Sequence, residues 1–105
     1  MLYTFNFMKD DFYYIELFEI YKGLLTDTQI KLFSEHYLLD LSYAETAEGS
    51  GASRQSVYDA VKRVKLKLDG FESVLKIKKK QDALKLAAEK ADSSLREEIF
   101  KILGE

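Results

Sequence analysis

Leu41 to Leu68, LSYAETAEGSGASRQSVYDAVKRVKLKL, decides how this chain is read. Ser42 followed three residues later by Glu45 has the spacing of a reciprocal cap, in which hydroxyl and carboxylate each satisfy an otherwise unpaired amide at a helix start. Ala47 is small enough for close approach of a second helix, and Gly51 offers the left-handed backbone that a sharp interhelical turn requires. The turn is expected over residues 49–52. Ser53 then caps a second helix, whose Val57 comes six residues after Gly51 and points back toward Ala47. The pattern predicts a helix-turn-helix over residues 42–68.

With Ser53 as cap, Arg54, Gln55 and Tyr58 are expected on the face turned away from Val57, Ala60, Val61 and Val64. Arginine donates two hydrogen bonds to guanine, glutamine pairs with adenine, and a phenol stacks on a base or reaches phosphate. Lys62, Arg63, Lys65 and Lys67 follow as phosphate contacts, which fix register without reading sequence. The candidate nucleic-acid-binding residues are therefore Ser53, Arg54, Gln55 and Tyr58 with Lys62, Arg63 and Lys65. Glu45, Glu48 and Asp59 oppose them, since each places a carboxylate near the path of a phosphate.

Composition sets the frame. The 105 residues make one domain, and an absence of proline with only five glycines leaves little to interrupt helices. The fold class is all-α, with about five helices: the central motif and amphipathic helices flanking it. Without cysteine neither disulfides nor thiolate chemistry operate, which suits a reducing compartment. No apolar run approaches bilayer length and the N-terminus lacks a secretion signal, so a soluble, cytoplasmic chain without membrane insertion is expected. One histidine without cysteine supplies no structural zinc site of the usual kinds, and His36 is expected as surface or part-buried packing. Carboxylates unaccompanied by a histidine pair, a thiol, a glycine-rich phosphate loop or a nucleophile motif imply no catalytic residues, no metal and no cofactor.

The net charge of −2 hides a segmented distribution. Residues 1–61 carry four basic against ten acidic side chains, whereas residues 62–80 carry eight against two. Such a block seeks phosphate or an acidic protein surface, unless it is only a solvated helix face.

Around the motif, MLYTFNFM alternates aromatics as an extended or disordered N-terminal segment would, and Met8 offers an alternative start. A first helix is expected from Asp10 or Asp11, carrying Phe12, Tyr14, Ile15, Leu17, Phe18 and Tyr21 over two stripes. Thr26 with Gln29 forms a second capping box, opening a helix from Asp27 to Leu39. Val57, Val61, Val64, Leu68, Phe71 and Leu75 form a heptad seam that carries the recognition helix past the motif and through Gly70. IKKKQD at Ile77 to Asp82 is expected to end that helix or expose its last turn. Leu84, Ala88, Ala91, Leu95, Ile99 and Ile102 predict one final amphipathic helix.

Leu24 to Arg63 resembles the YlxM-like family of small bacterial proteins, which in turn looks like the promoter-reading fourth conserved region of sigma factors. The matching residues are Leu24, Leu25, Thr26 and Gln29, then Tyr37 and Asp40, then Ala47 and Glu48, then SRQSVYD from Ser53 to Asp59. Where such sequences place a large apolar residue, a turn residue and a valine, this chain has Ser50, Gly51 and Ala52, which is expected to loosen the hold between the two helices. The resemblance implies a bacterial, cytoplasmic regulator associated with the signal recognition particle pathway. DNA is the expected partner, and the alternative is a non-catalytic adaptor binding signal recognition particle RNA or protein. A homodimer is expected from the surplus of apolar surface, with the aromatic first helix as a plausible interface.

Overall fold

The computed structural model describes the backbone of residues 2–104 and the side chains of residues 11–104. Among these are six α-helices and no strand: α1 (Leu2–Tyr21), α2 (Asp27–Phe33), α3 (Tyr43–Ser50), α4 (Arg54–Leu75), α5 (Ile77–Ala88) and α6 (Ser93–Ile102). The first corrects the expectation of an extended start, because α1 begins at Leu2 rather than at Asp10 or Asp11. Neither glycine nor proline interrupts residues 2–10, and adding turns to an existing helix costs far less than nucleating one. The packing of Tyr3, Phe5 and Phe7 lies outside the described side chains.

Both capping boxes form. The Thr26 hydroxyl accepts from the Gln29 amide at 3.2 Å while the Gln29 side chain accepts from the Thr26 amide at 3.0 Å. Ser42 and Glu45 do the same at 3.1 Å in both directions. Between them α2 widens into a π-helical segment over Ser34–Leu38, then stops. Asp40 takes a left-handed φ of 58°, and the Leu41 amide donates to the Glu35 carbonyl at 2.9 Å. This wide closure turns the chain from α2 into the start of α3.

The core joins α1, α2 and α4. Leu17, Phe18, Tyr21, Leu25, Phe33, Val64 and Leu68 are buried together, and Phe33 stacks on Phe18 at 4.4 Å and on Tyr37 at 4.5 Å between centroids. A smaller cluster of Ala47, Val57 and Val61, flanked by Leu32, Tyr37 and Tyr43, holds α3 against α4. A cavity lined by Leu32, Thr46, Gly49 and Ser50 among others lies beside this cluster.

The heptad seam continues through Gly70 as expected, and α4 runs unbroken to Leu75. The chain then breaks at Lys76, whose φ of 55° is left-handed. IKKKQD does not end α4; it opens α5. That helix has no cap of its own, and Glu72 supplies one from the preceding helix. Its carboxylate accepts from the Lys78 amide at 3.1 Å, the Lys79 amide at 3.0 Å and the Tyr21 hydroxyl at 2.6 Å. The Tyr21 oxygen in turn accepts from the Ile77 amide at 3.2 Å.

The single final helix is also corrected, into α5 and α6. Asp92 caps α6 by accepting from the Leu95 amide at 2.8 Å. Arg96 reaches back to the Ala88 carbonyl through Nε at 3.1 Å and to the Glu89 carbonyl through Nη2 at 3.1 Å. Asp-Ser-Ser is cap chemistry, and a cation at the end of α5 satisfies its last carbonyls. Together they outweigh the continuous apolar spacing.

Candidate nucleic-acid interface

The interface is built on the turn between α3 and α4. Gly51 sits at φ 73°, ψ 6° as the left-handed end of α3. A Cβ there would meet no atom within 4 Å, so glycine is needed for its backbone conformation rather than for space. The Ser53 hydroxyl accepts from the Ser56 amide at 3.1 Å and donates to the Ser56 hydroxyl at 3.0 Å. It is therefore occupied in starting α4.

Arg54, Gln55 and Tyr58 are all exposed on the opening turns of α4, where with Tyr43 they line one shallow cleft. Tyr43 is the residue that sequence reasoning missed. It stands one position after the Ser42 cap, on a different helix from the other three, and only the interhelical angle brings it to them. Its ring meets Tyr58 edge-on at 5.3 Å and stacks on His36 at 4.2 Å. His36 meets Tyr37 edge-on at 4.9 Å, and its Nδ1 donates to the Leu41 carbonyl at 3.1 Å. His36 is thus part-buried packing, and an unbroken run of rings leads from Phe18 in the core to Tyr58 at the surface. The signal for it was the density of aromatics before the motif, which carried no information about direction. Burial, then the neighbouring Tyr37 phenol, raise the Tyr43 pKa and keep it a neutral hydrogen-bond donor.

The other sequence-predicted residues divide around α4. At about 100° per residue, Arg54, Tyr58 and Lys65 share one stripe, Lys62 and Gln55 border it, and Arg63 and Lys67 lie on the opposite flank. Besides Tyr58, whose ring meets Tyr43, three of these residues have partners within the chain. Gln55 Nε2 donates to Asp59 Oδ1 at 3.1 Å. The Lys65 ammonium lies 4.5 Å over the Tyr14 ring and 5.9 Å from the Tyr37 centroid, half-buried between helices. The Tyr14 hydroxyl donates to Asp69 Oδ2 at 3.0 Å, and burial, then that bond, push its pKa to about 12. On the other flank, Lys67 donates to Gln29 Oε1 at 3.3 Å. Lys62 and Arg63 stay exposed.

Glu45 and Glu48 are exposed on α3 beside this face. Hydrogen bonds from the Ser42 backbone, then its side chain, lower the Glu45 pKa, so that carboxylate remains charged. Arg54 stands at the positive end of the α4 dipole, where an approaching anion is favoured. Among the described residues no group of acidic, histidine or cysteine side chains could hold a metal ion, and no helix is long and apolar enough to cross a membrane.

Residues 8–103 match the model of family UPF0122, described as "Putative helix-turn-helix protein, YlxM / p13 like". A UPF0122 protein of Caldanaerobacter subterraneus is 40% identical over 84 residues, covering 79% of this chain and 72% of that protein. One from Thermoanaerobacter pseudethanolicus is 38% identical over 107 residues, covering 93% and 92%. One from Clostridium perfringens is 36% identical over 104 residues, covering 93% of each. With the capped α3, the left-handed turn and the long α4 in place, and with a family match across nearly all of its length, this chain belongs to the UPF0122 family of YlxM/p13-like helix-turn-helix proteins.

Proposed function

We propose that this chain is a regulatory DNA-binding protein of the bacterial cytoplasm, which lays the opening turns of α4 in the major groove. The observation that carries the reading is the exposed cleft of Tyr43, Arg54, Gln55 and Tyr58 at the start of α4. These side chains combine a bidentate donor, an amide and two phenols on the part of the helix that meets base edges in such motifs. Lys62 and Arg63 lie toward opposite flanks of α4, where the two backbones bordering a groove would run. The 22 residues of α4 span about 33 Å, so only its first half enters the groove and the rest anchors it to α1. No reaction is assigned, since the family description is of a helix-turn-helix protein and not of an enzyme.

The second reading is an adaptor of the signal recognition particle, suggested by Lys76, Lys79 and Lys80, which are exposed at the α4–α5 joint away from the cleft. Fluorescence anisotropy against duplex DNA and structured RNA, each titrated with salt, separates the two. The DNA reading expects duplex binding that weakens steeply with salt and with Arg54→Ala. RNA binding that ignores Arg54→Ala and fails with Lys79→Glu and Lys80→Glu would transfer the function to the joint.

A further inference from the structure

α2 and α3 do not close fully on each other. The cavity between them, beside the cluster of Ala47, Val57 and Val61, measures about 280 Å³, and its walls hold polar groups that the chain leaves unmatched. Thr46 lines it, is 5% exposed and buries its hydroxyl without a hydrogen-bond partner. A threonine within a helix often returns its hydroxyl to the carbonyl four residues back. Here the Ser42 carbonyl takes the Thr46 amide at 3.0 Å and not the hydroxyl. A buried hydroxyl left unmatched costs stability, so folded chains match nearly all of them. Among the described residues, Thr46 is the one buried side chain with this defect.

Charge points the same way. Lys31 lines the cavity from α2 and Glu35 from the π-helical segment that follows. Among the described residues neither side chain has an ion-pair or hydrogen-bond partner. They do not pair with each other because the helix widens at Ser34, between them, and residues four apart stand one above the other only on a regular α-helix. Glu35 is half-buried, where an unpaired carboxylate is costlier than in open solvent. On the α3 side, Glu45 spends one oxygen on the Ser42 amide at 3.1 Å and keeps the other. Leu32 and Leu41, both half-buried, supply the apolar wall.

The occupant that answers all of these groups carries an ammonium for Glu35 and Glu45, a carboxylate for Lys31 and the Thr46 hydroxyl, and a short apolar body for Leu32 and Leu41. An amine alone leaves Lys31 unmatched, and a carboxylate alone meets two acids. The volume is below that of pockets for drug-sized ligands, so the occupant is the size of a small metabolite. We propose that the α2–α3 cavity is a binding site for a zwitterionic α-amino acid with an apolar side chain. None of its lining residues belongs to the cleft of Tyr43, Arg54, Gln55 and Tyr58, so the site does not depend on what α4 binds.

Isothermal titration calorimetry of the full chain with L-leucine tests it. Isopentylamine, isocaproate and glycine serve as analogues that lack, in turn, the carboxylate, the ammonium and the apolar body. L-leucine binds, and each analogue binds at least about tenfold more weakly. Thr46→Val and Glu35→Gln each lower the affinity for L-leucine about tenfold or more. The melting temperature without ligand guards against misfolding as an explanation. Because the Thr46 hydroxyl has no partner to lose, Thr46→Val leaves that temperature unchanged or raises it. No binding of L-leucine at millimolar concentration, an analogue that binds as well as L-leucine, or wild-type affinity in both variants overturns the proposal. A ligand-free Thr46→Val chain that melts lower than wild type overturns it too, since the hydroxyl would then be matched within the fold.

Discussion

Replacing Glu72 by alanine removes a carboxylate that links α1, α4 and α5 through hydrogen bonds. It receives the Tyr21 hydroxyl and the Lys78 and Lys79 amides. Losing an N-terminal cap costs about 1 kcal/mol, and leaving the Tyr21 hydroxyl, on a residue 1% exposed, without an acceptor costs about 1–3 kcal/mol more. The sum, about 2–4 kcal/mol, is a large part of the 5–15 kcal/mol or so that stabilises a typical domain, and it lowers a urea midpoint by about 1–2 M. The pH dependence has a definite sign. Burial alone would raise the Glu72 pKa, but the Tyr21 bond, the two amides and the Lys78 charge outweigh it and hold the value below the ordinary 4.5. The unfolded chain therefore takes up the proton first. Glu72 contributes in full above pH 4.5, and the contribution disappears as pH falls through the depressed folded value. Urea denaturation of wild type, Glu72→Ala, Tyr21→Phe and the double variant checks this. The two single effects should be non-additive by about 1 kcal/mol or more. An unchanged midpoint for Glu72→Ala, or strict additivity with Tyr21→Phe, would refute the reasoning.

At Gly51 the penalty for a side chain is conformational, since space is open. Substitutions should destabilise in the order Asn, Ala, Val, with valine costing about 1 kcal/mol or more; equal melting temperatures across the series would remove the left-handed turn from the account. Phe33→Ala, which opens a cavity between Phe18 and Tyr37, should cost about 3–5 kcal/mol in chemical denaturation, and a loss below 1 kcal/mol would mean that the aromatic run does not brace the fold. If α4 reads DNA, Arg54→Ala should reduce discrimination between cognate and random duplex by about 1–3 kcal/mol. Equal losses on both duplexes, measured by anisotropy at fixed salt, would make Arg54 a phosphate contact only.

Local chemistry was legible in the sequence. Ser42 with Glu45, Thr26 with Gln29, and Gly51 each act on amides or dihedrals within a few residues of themselves, so their spacing alone determined two helix starts and the turn. The buried seam of α4 was legible for the same reason, because Val57, Val61, Val64 and Leu68 recur on one face whatever packs against it. Decisions between distant residues were not. The break at Lys76 depends on Glu72 finding both the α5 amides and Tyr21, which is 51 positions away from Glu72. The split of the final helix depends on Arg96 folding back to Ala88 as well as on the Asp92 cap. Tyr43 joined the cleft because α3 and α4 cross at the turn, and Lys65 is half-buried because α1 lays Tyr14 beside it. Above all, apolar periodicity marks which residues seek burial but not against what. Phe18 and Leu95 look alike as sequence, and only the packing of six helices decided that one fills the core while the other remains exposed on α6.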